Sequence, residues 1–134
     1  SSDLNIIRDN LIPAGGTGLV STGGGGIRCG EGAVRIENNQ IIHNRGEGYG
    51  GGIVLNYCPG AVVENNVIAF NYGGKDYSGG GFWATGQDQN TLVILRNNTI
   101  AYNQAPGGGS SRTSSGIAWS SRHGLLSGAP HAPP

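Results

Sequence analysis

Apolar residues recur two apart along much of this chain. Val34 and Ile36, Ala61 and Val63, and Val93 and Leu95 occupy matching places, and Ile41, Ile68 and Ile100 follow at matching distances across a pair of asparagines. Alternation at period two sends successive side chains to opposite faces, so the elements it predicts are strands. The segments are short, rich in Val and Ile, and bounded by Gly and Asn. No stretch carries the capped 3.6-residue pattern of a helix, which disfavours a helical solenoid.

The alternation belongs to a repeat. "VRIENNQIIHN" at 34–44 returns as "AVVENNVIAFN" at 61–71 and "VILRNNTIAYN" at 93–103. The first asparagine of each pair stands at Asn38, Asn65 and Asn97, and Asp9 in "NIIRDNLI" reads as a degenerate earlier copy, giving steps of 29, 27 and 32. A further asparagine closes each unit at Asn44, Asn71 and Asn103. Glycine runs ending at Gly26, Gly52 and Gly81 precede "IRC", "IVL" and "FWA", and "SGIAW" at 115–119 reads as a fourth copy. A leucine-rich repeat is disfavoured, because its Leu spacing is missing and its asparagine falls elsewhere. A coil remains, in which each unit forms one rung of short strands stacked on the next at the ~4.8 Å strand spacing.

"GGGIRC" at 24–29, "IENNQI" at 36–41 and the asparagine that follows resemble the right-handed parallel β-helix repeat proteins of the pectin-lyase-like superfold, over residues 4 to about 119. The resemblance implies an all-β right-handed parallel β-helix, a solenoid of about four rungs over residues 1–120, with an irregular tail or linker at 121–134. No capping helix is evident at either end, so a fragment of a longer solenoid, prone to end-to-end self-association, is expected.

Superposed rungs assign a role to each column. Asn38, Asn65 and Asn97 share the parity of Ile36, Val63 and Leu95 and are expected to point inward or along a corner. With Asn39, Asn66 and Asn98 they form the predicted structural ladder, whose amides donate and accept between rungs. The acceptor motif "NNT" at 97–99 is then not expected to carry a glycan. Ile27, Ile53, Phe82 and Ile117 fill one core column, and Cys29, Leu55, Ala84 and Trp119 the next. Cys29 there reads as a small apolar plug. Cys58 lies three extended residues and one rung away, ~11 Å between Cα atoms, so no disulfide is expected unless Cys58 folds back in its loop. Arg8, Glu37, Glu64 and Arg96 share an outward slot and read as a solvated charge stack.

Composition narrows the partners. Glycine supplies 27 of 134 residues, yet the net charge is zero and Ile and Val recur, which favours a periodic fold over disorder. Without a basic cluster no nucleic-acid partner is expected, and without a long apolar run no membrane insertion. "GEGYGG" at 46–51 fits a phosphate-loop pattern but opens no helix, and "GGTGLV" at 15–20 lacks the Asp of a calcium-binding nonapeptide. No cofactor or metal is therefore expected, and Ca²⁺ has no motif to support it. His43 shares a slot with Phe70 and Tyr102 and reads as a packing residue.

Chemistry is expected in the corner loops. Tyr72, Tyr77 and Trp83 are candidates for an aromatic platform, with Lys75, Asp76, Asp88 and Gln89 as polar contacts, an array suited to the apolar faces and hydroxyl rim of a sugar. A polysaccharide or other glycan is thus the expected ligand, while no catalytic residue is identified. The function read from these features is a secreted or cell-surface β-helix segment with a structural, adhesive or glycan-binding role. The alternative, implied by the resemblance, is a fragment of a polysaccharide lyase or glycoside hydrolase. Extracellular placement rests on the same resemblance and on the few charged residues.

Overall fold

The computed structural model describes residues 4–13, 24–73, 79–86, 91–106, 111–113, 117–118 and 125–126. A first partial coil holds β1 (Asn5–Arg8) and β2 (Leu11–Ile12). The next contains β3 (Ile27–Gly30), β4 (Arg35–Glu37), β5 (Asn39–Ile42) and β6 (Arg45–Gly46). Then come β7 (Ile53–Asn56), β8 (Ala61–Glu64) and β9 (Val67–Ala69), followed by β10 (Phe82–Thr85), β11 (Thr91–Arg96) and β12 (Thr99–Ala101). The last described strands are β13 (Ser111–Thr113), β14 (Ile117–Ala118) and β15 (Leu125–Leu126).

Each coil visits the same sheets in the same order. One sheet runs β3-β7-β10-β13, a second β4-β8-β11-β14, and a third β1-β5-β9-β12-β15. A small fourth sheet, β2-β6, continues through single parallel bridges at Tyr72 and Gln104. Ile27 pairs with Ile53 and Ile53 with Phe82; Ile41 pairs with Ile68 and Ile68 with Ile100. Equivalent side chains of successive coils therefore lie over one another, as the period requires. Ile53, Leu55, Val63, Ile68, Phe82 and Ile100 are fully buried in the resulting core. Burying one such side chain stabilises by ~1.5 to 3 kcal/mol, and stacking joins into one core what no single coil could enclose.

Left-handed backbone at three corner columns sets the direction of the chain. Glu31 and Tyr57 form one column; Asn38, Asn65 and Asn97 a second; Asp9, His43, Phe70 and Tyr102 a third, all with φ between 54° and 65°. Such a residue breaks the alternation. The side chain that parity would send inward stays at the surface, and the one after it turns in. Asn65 and Asn97 are accordingly exposed and Asn38 half-buried, whereas Asn39, Asn66 and Asn98 are buried. The first asparagine of each pair is therefore the corner, one of its two expected placements, and the second the ladder; the inward alternative for Asn38, Asn65 and Asn97, and their place in the ladder, are corrected. The 97–99 acceptor motif accordingly begins on an exposed side chain and not on a ladder residue.

The ladder amides bond in both directions along the axis. Asn39 Nδ2 donates to Asn66 Oδ1 at 3.0 Å, and Asn66 Nδ2 donates to Asn98 Oδ1 at 3.0 Å and back to the Ile36 carbonyl at 2.8 Å. Asn66 Oδ1 also accepts the backbone N–H of Asn39 at 3.0 Å. A second ladder, Asn10-Asn44-Asn71-Asn103, repeats the scheme after the third corner column, with Nδ2 to Oδ1 distances of 2.9, 3.1 and 3.0 Å.

Glycine has a related task. The runs at 24–26, 50–52 and 79–81 hydrogen-bond to one another, as in Gly51 N–H to the Gly80 carbonyl at 2.8 Å. A Cβ on Gly51 would collide with the backbone of Tyr72, and one on Gly80 with that of Gln104. The runs pass directly against the fourth sheet, where a side chain has no room.

Three registers differ from the sequence reading. Asn5 pairs with Asn39, so Asp9 stands over His43 rather than Asn38, and Arg8 over Ile42 rather than Glu37. Ser111 and Thr113 continue the column of Phe82 and Ala84, whereas Ile117 pairs with Thr91 in the second sheet. Leu125 and Leu126 pair with Thr99 and Ile100, which adds a strand inside the segment read as a tail.

Replacing Asn66 with Ala strands a buried N–H and a buried carbonyl, and should cost about 3 kcal/mol in denaturant unfolding, whereas Asn65→Gly, at φ 56°, should stay within about 1 kcal/mol.

Candidate functional site

Of the residues expected to form a binding site, Lys75, Asp76, Tyr77, Asp88 and Gln89 lie outside the described residues. Tyr72 and Trp83 lie inside, in different sheets. Tyr72 bridges Arg45 and Gln104 in the fourth sheet, with the Arg45 guanidinium 4.6 Å above its ring. Trp83 belongs to the first sheet and is only 6% exposed, with the Tyr49 ring 4.5 Å away at a tilt of 51°. The Trp83 column turns away from the core, yet Val54 in it is also buried. Alternation finds the face of such a residue but not a neighbour that crosses over it.

Among the described residues, a column of rings and a column of charges recur outward from coil to coil. His43, Phe70 and Tyr102 hold successive corners of the third column. Their rings lie nearly parallel, with centroids 5.2 Å apart and 8° between planes for the first pair, 5.3 Å and 7° for the second. Left-handed backbone costs an ordinary residue about 1 to 2 kcal/mol, and ring stacking returns ~0.5 to 1.5 kcal/mol per pair. The column stays open to solvent, with Phe70 52% and Tyr102 70% exposed. Their shared slot was visible in the sequence, and His43 packs as that slot implied.

Glu37, Glu64 and Arg96 are stacked in register on the second sheet. Arg96 Nε approaches Glu64 Oε2 at 2.5 Å, and Arg35 Nη2 approaches Glu64 Oε1 at 3.0 Å while also pairing with Glu37. The hydrogen bond from Arg96 holds the Glu64 carboxyl below the ordinary carboxylate range, against an opposing desolvation, with Glu37 and Arg35 adding to the lowering. A carboxylate kept ionised between two guanidiniums is a poor proton donor. Among the described residues, no three His, Cys, Asp or Glu side chains gather as a metal site.

With the coil, its asparagine ladders and its corner columns established, comparison with known families is decisive for the fold. The sequence model of the right handed beta helix region matches residues 1–124. The chain belongs to the right-handed β-helix family. The match agrees with the parallel order of every described sheet and gives the solenoid its hand. No curated protein and no solved structure matches the chain.

Because the Glu64 pKa is lowered in the folded protein, its contribution to stability is complete above the ordinary glutamate range and is lost as pH falls through the depressed value. Thermal melts should therefore place Glu64→Gln below the parent at pH 7, with the gap closing towards pH 3 and in high salt.

Proposed function

We propose that the chain is a structural or adhesive β-helix segment, a stiff rod that holds a lateral strip of rings and charges at fixed spacing. One observation carries this reading: the outward side chains that recur at coil spacing pair with each other along the axis. Arg35 and Arg96 neutralise Glu37 and Glu64, and the faces of the His43, Phe70 and Tyr102 rings cover one another. A catalytic cleft needs such groups to converge on a substrate instead. Action at the cell surface or outside the cell is part of the proposal and is supported by a composition poor in charged residues.

Glycan binding is the second reading, favoured by the 70% exposure of Tyr102 at one end of the ring column. A sugar stacks on a ring face, and the Phe70 ring has neighbours on both of its faces.

Calorimetric titration with a panel of polysaccharides, alongside assays for reducing ends and unsaturated products, tests these readings. The scaffold reading expects no saturable heat and no product, with Phe70→Ala lowering the melting midpoint through two lost ring contacts. Saturable binding that Tyr102→Ala abolishes would replace it with glycan recognition. Product release abolished by Asp76→Ala or Asp88→Ala would replace it with polysaccharide degradation.

A further inference from the structure

Cys29 and Cys58 were expected to stand too far apart to meet. The first corner column changes that. Tyr57, at φ 54°, applies the same rule as the asparagine corners, so the next residue, Cys58, turns into the core and is fully buried. Cys29 lies one coil earlier, in the column of Leu55, packed at the core edge and half-buried. Both sulfurs converge on one corner. Cys58 Sγ lies 3.6 Å from the Cys29 carbonyl oxygen and 3.3 Å from that of Asn56. Cys29 Sγ lies 3.8 Å from the carbonyl oxygen of Glu31, the corner residue of its own coil. The Glu31 N–H in turn donates to the Asn56 carbonyl at 2.8 Å, which binds the two corners together. Extended chain would hold the two positions ~11 Å apart, and the left-handed corner at Tyr57 removes that extension.

We propose that Cys29 and Cys58 are a redox pair that closes to a disulfide between adjacent coils when the chain meets a small-molecule disulfide. The half-buried Cys29 reacts first. Its thiolate attacks one sulfur of oxidised glutathione, forms a mixed disulfide and releases one glutathione thiol. Cys58 then gives up its proton to solvent, and its thiolate attacks Cys29 Sγ and expels the second glutathione. The protein loses two electrons and two protons, and one glutathione disulfide becomes two thiols. Burial, followed by the neighbouring Cys29 sulfur, pushes the Cys58 thiol up to about 12, which makes the closing step slow and faster at alkaline pH. The bridge would tie one coil to the next at a corner that is followed by a cysteine where the other two corner columns are followed by asparagine.

The test incubates the full chain with oxidised glutathione at pH 7 and pH 9, followed by intact mass, thiol titration and non-reducing peptide mapping. The expected result is loss of both thiols, a mass lower by about 2 Da, a peptide linking Cys29 to Cys58, and faster closure at pH 9. The melting midpoint should rise by roughly 5 to 15 °C and return on reduction. Cys58→Ala should stop at glutathione attached to Cys29. Two intact thiols, glutathione retained on Cys29 of the parent chain, or a bridge between two molecules would each overturn the proposal. Because the parent chain itself gives the answer, the outcome does not depend on how well the Cys58→Ala variant folds.

Discussion

The structure depends on what happens one residue after each left-handed corner. At that point the alternation of the strand resets, and the side chain that enters the interior must satisfy backbone groups the bend leaves unpaired. Asparagine does so with one short amide, which carries two donors and an acceptor that takes more than one bond. Asn66 reaches Asn98 ahead of it and Ile36 behind it, while its own oxygen receives Asn39. Core packing alone could not hold the bends, because an unpaired amide or carbonyl at each would offset much of what a buried isoleucine contributes.

The corner itself then becomes available for other uses. In the second column it is filled by asparagine, the residue that best tolerates left-handed backbone after glycine. In the third it carries Asp9 and then His43, Phe70 and Tyr102, whose rings stack on one another. In the first it carries Glu31 and Tyr57, and the inward place after Tyr57 holds a thiol instead of an amide. One backbone rule, repeated three times around the coil, thus produces a ladder, a ring stack and a sulfur pair.

Much of this was legible in the residues. The period, the parallel stacking and the columns of Ile27, Ile53 and Phe82 follow from alternation and spacing, since coils that share a core must share a register. The asparagine pair marked the right place without separating corner from ladder, because alternation presumes extended backbone and Asn38, Asn65 and Asn97 are not extended. The same assumption misplaced Cys58. Asp9 was matched to Asn38 on likeness of side chain, whereas the pairing of Asn5 with Asn39 shows that it is a corner of the third column. Trp83 faces outward as alternation requires, yet its cover by Tyr49 comes from a glycine-flanked segment whose path no periodicity encodes.

The asparagine ladders also have a sense of direction. Each amide hands a hydrogen forward to the oxygen of the next coil, from Asn5 to Asn39, Asn66 and Asn98, and never the reverse among these side chains. Dipoles aligned head to tail polarise one another, so every added turn strengthens those already in place. The rod is therefore electrically asymmetric along its length although its net charge is zero, each ladder oxygen facing the coil before it.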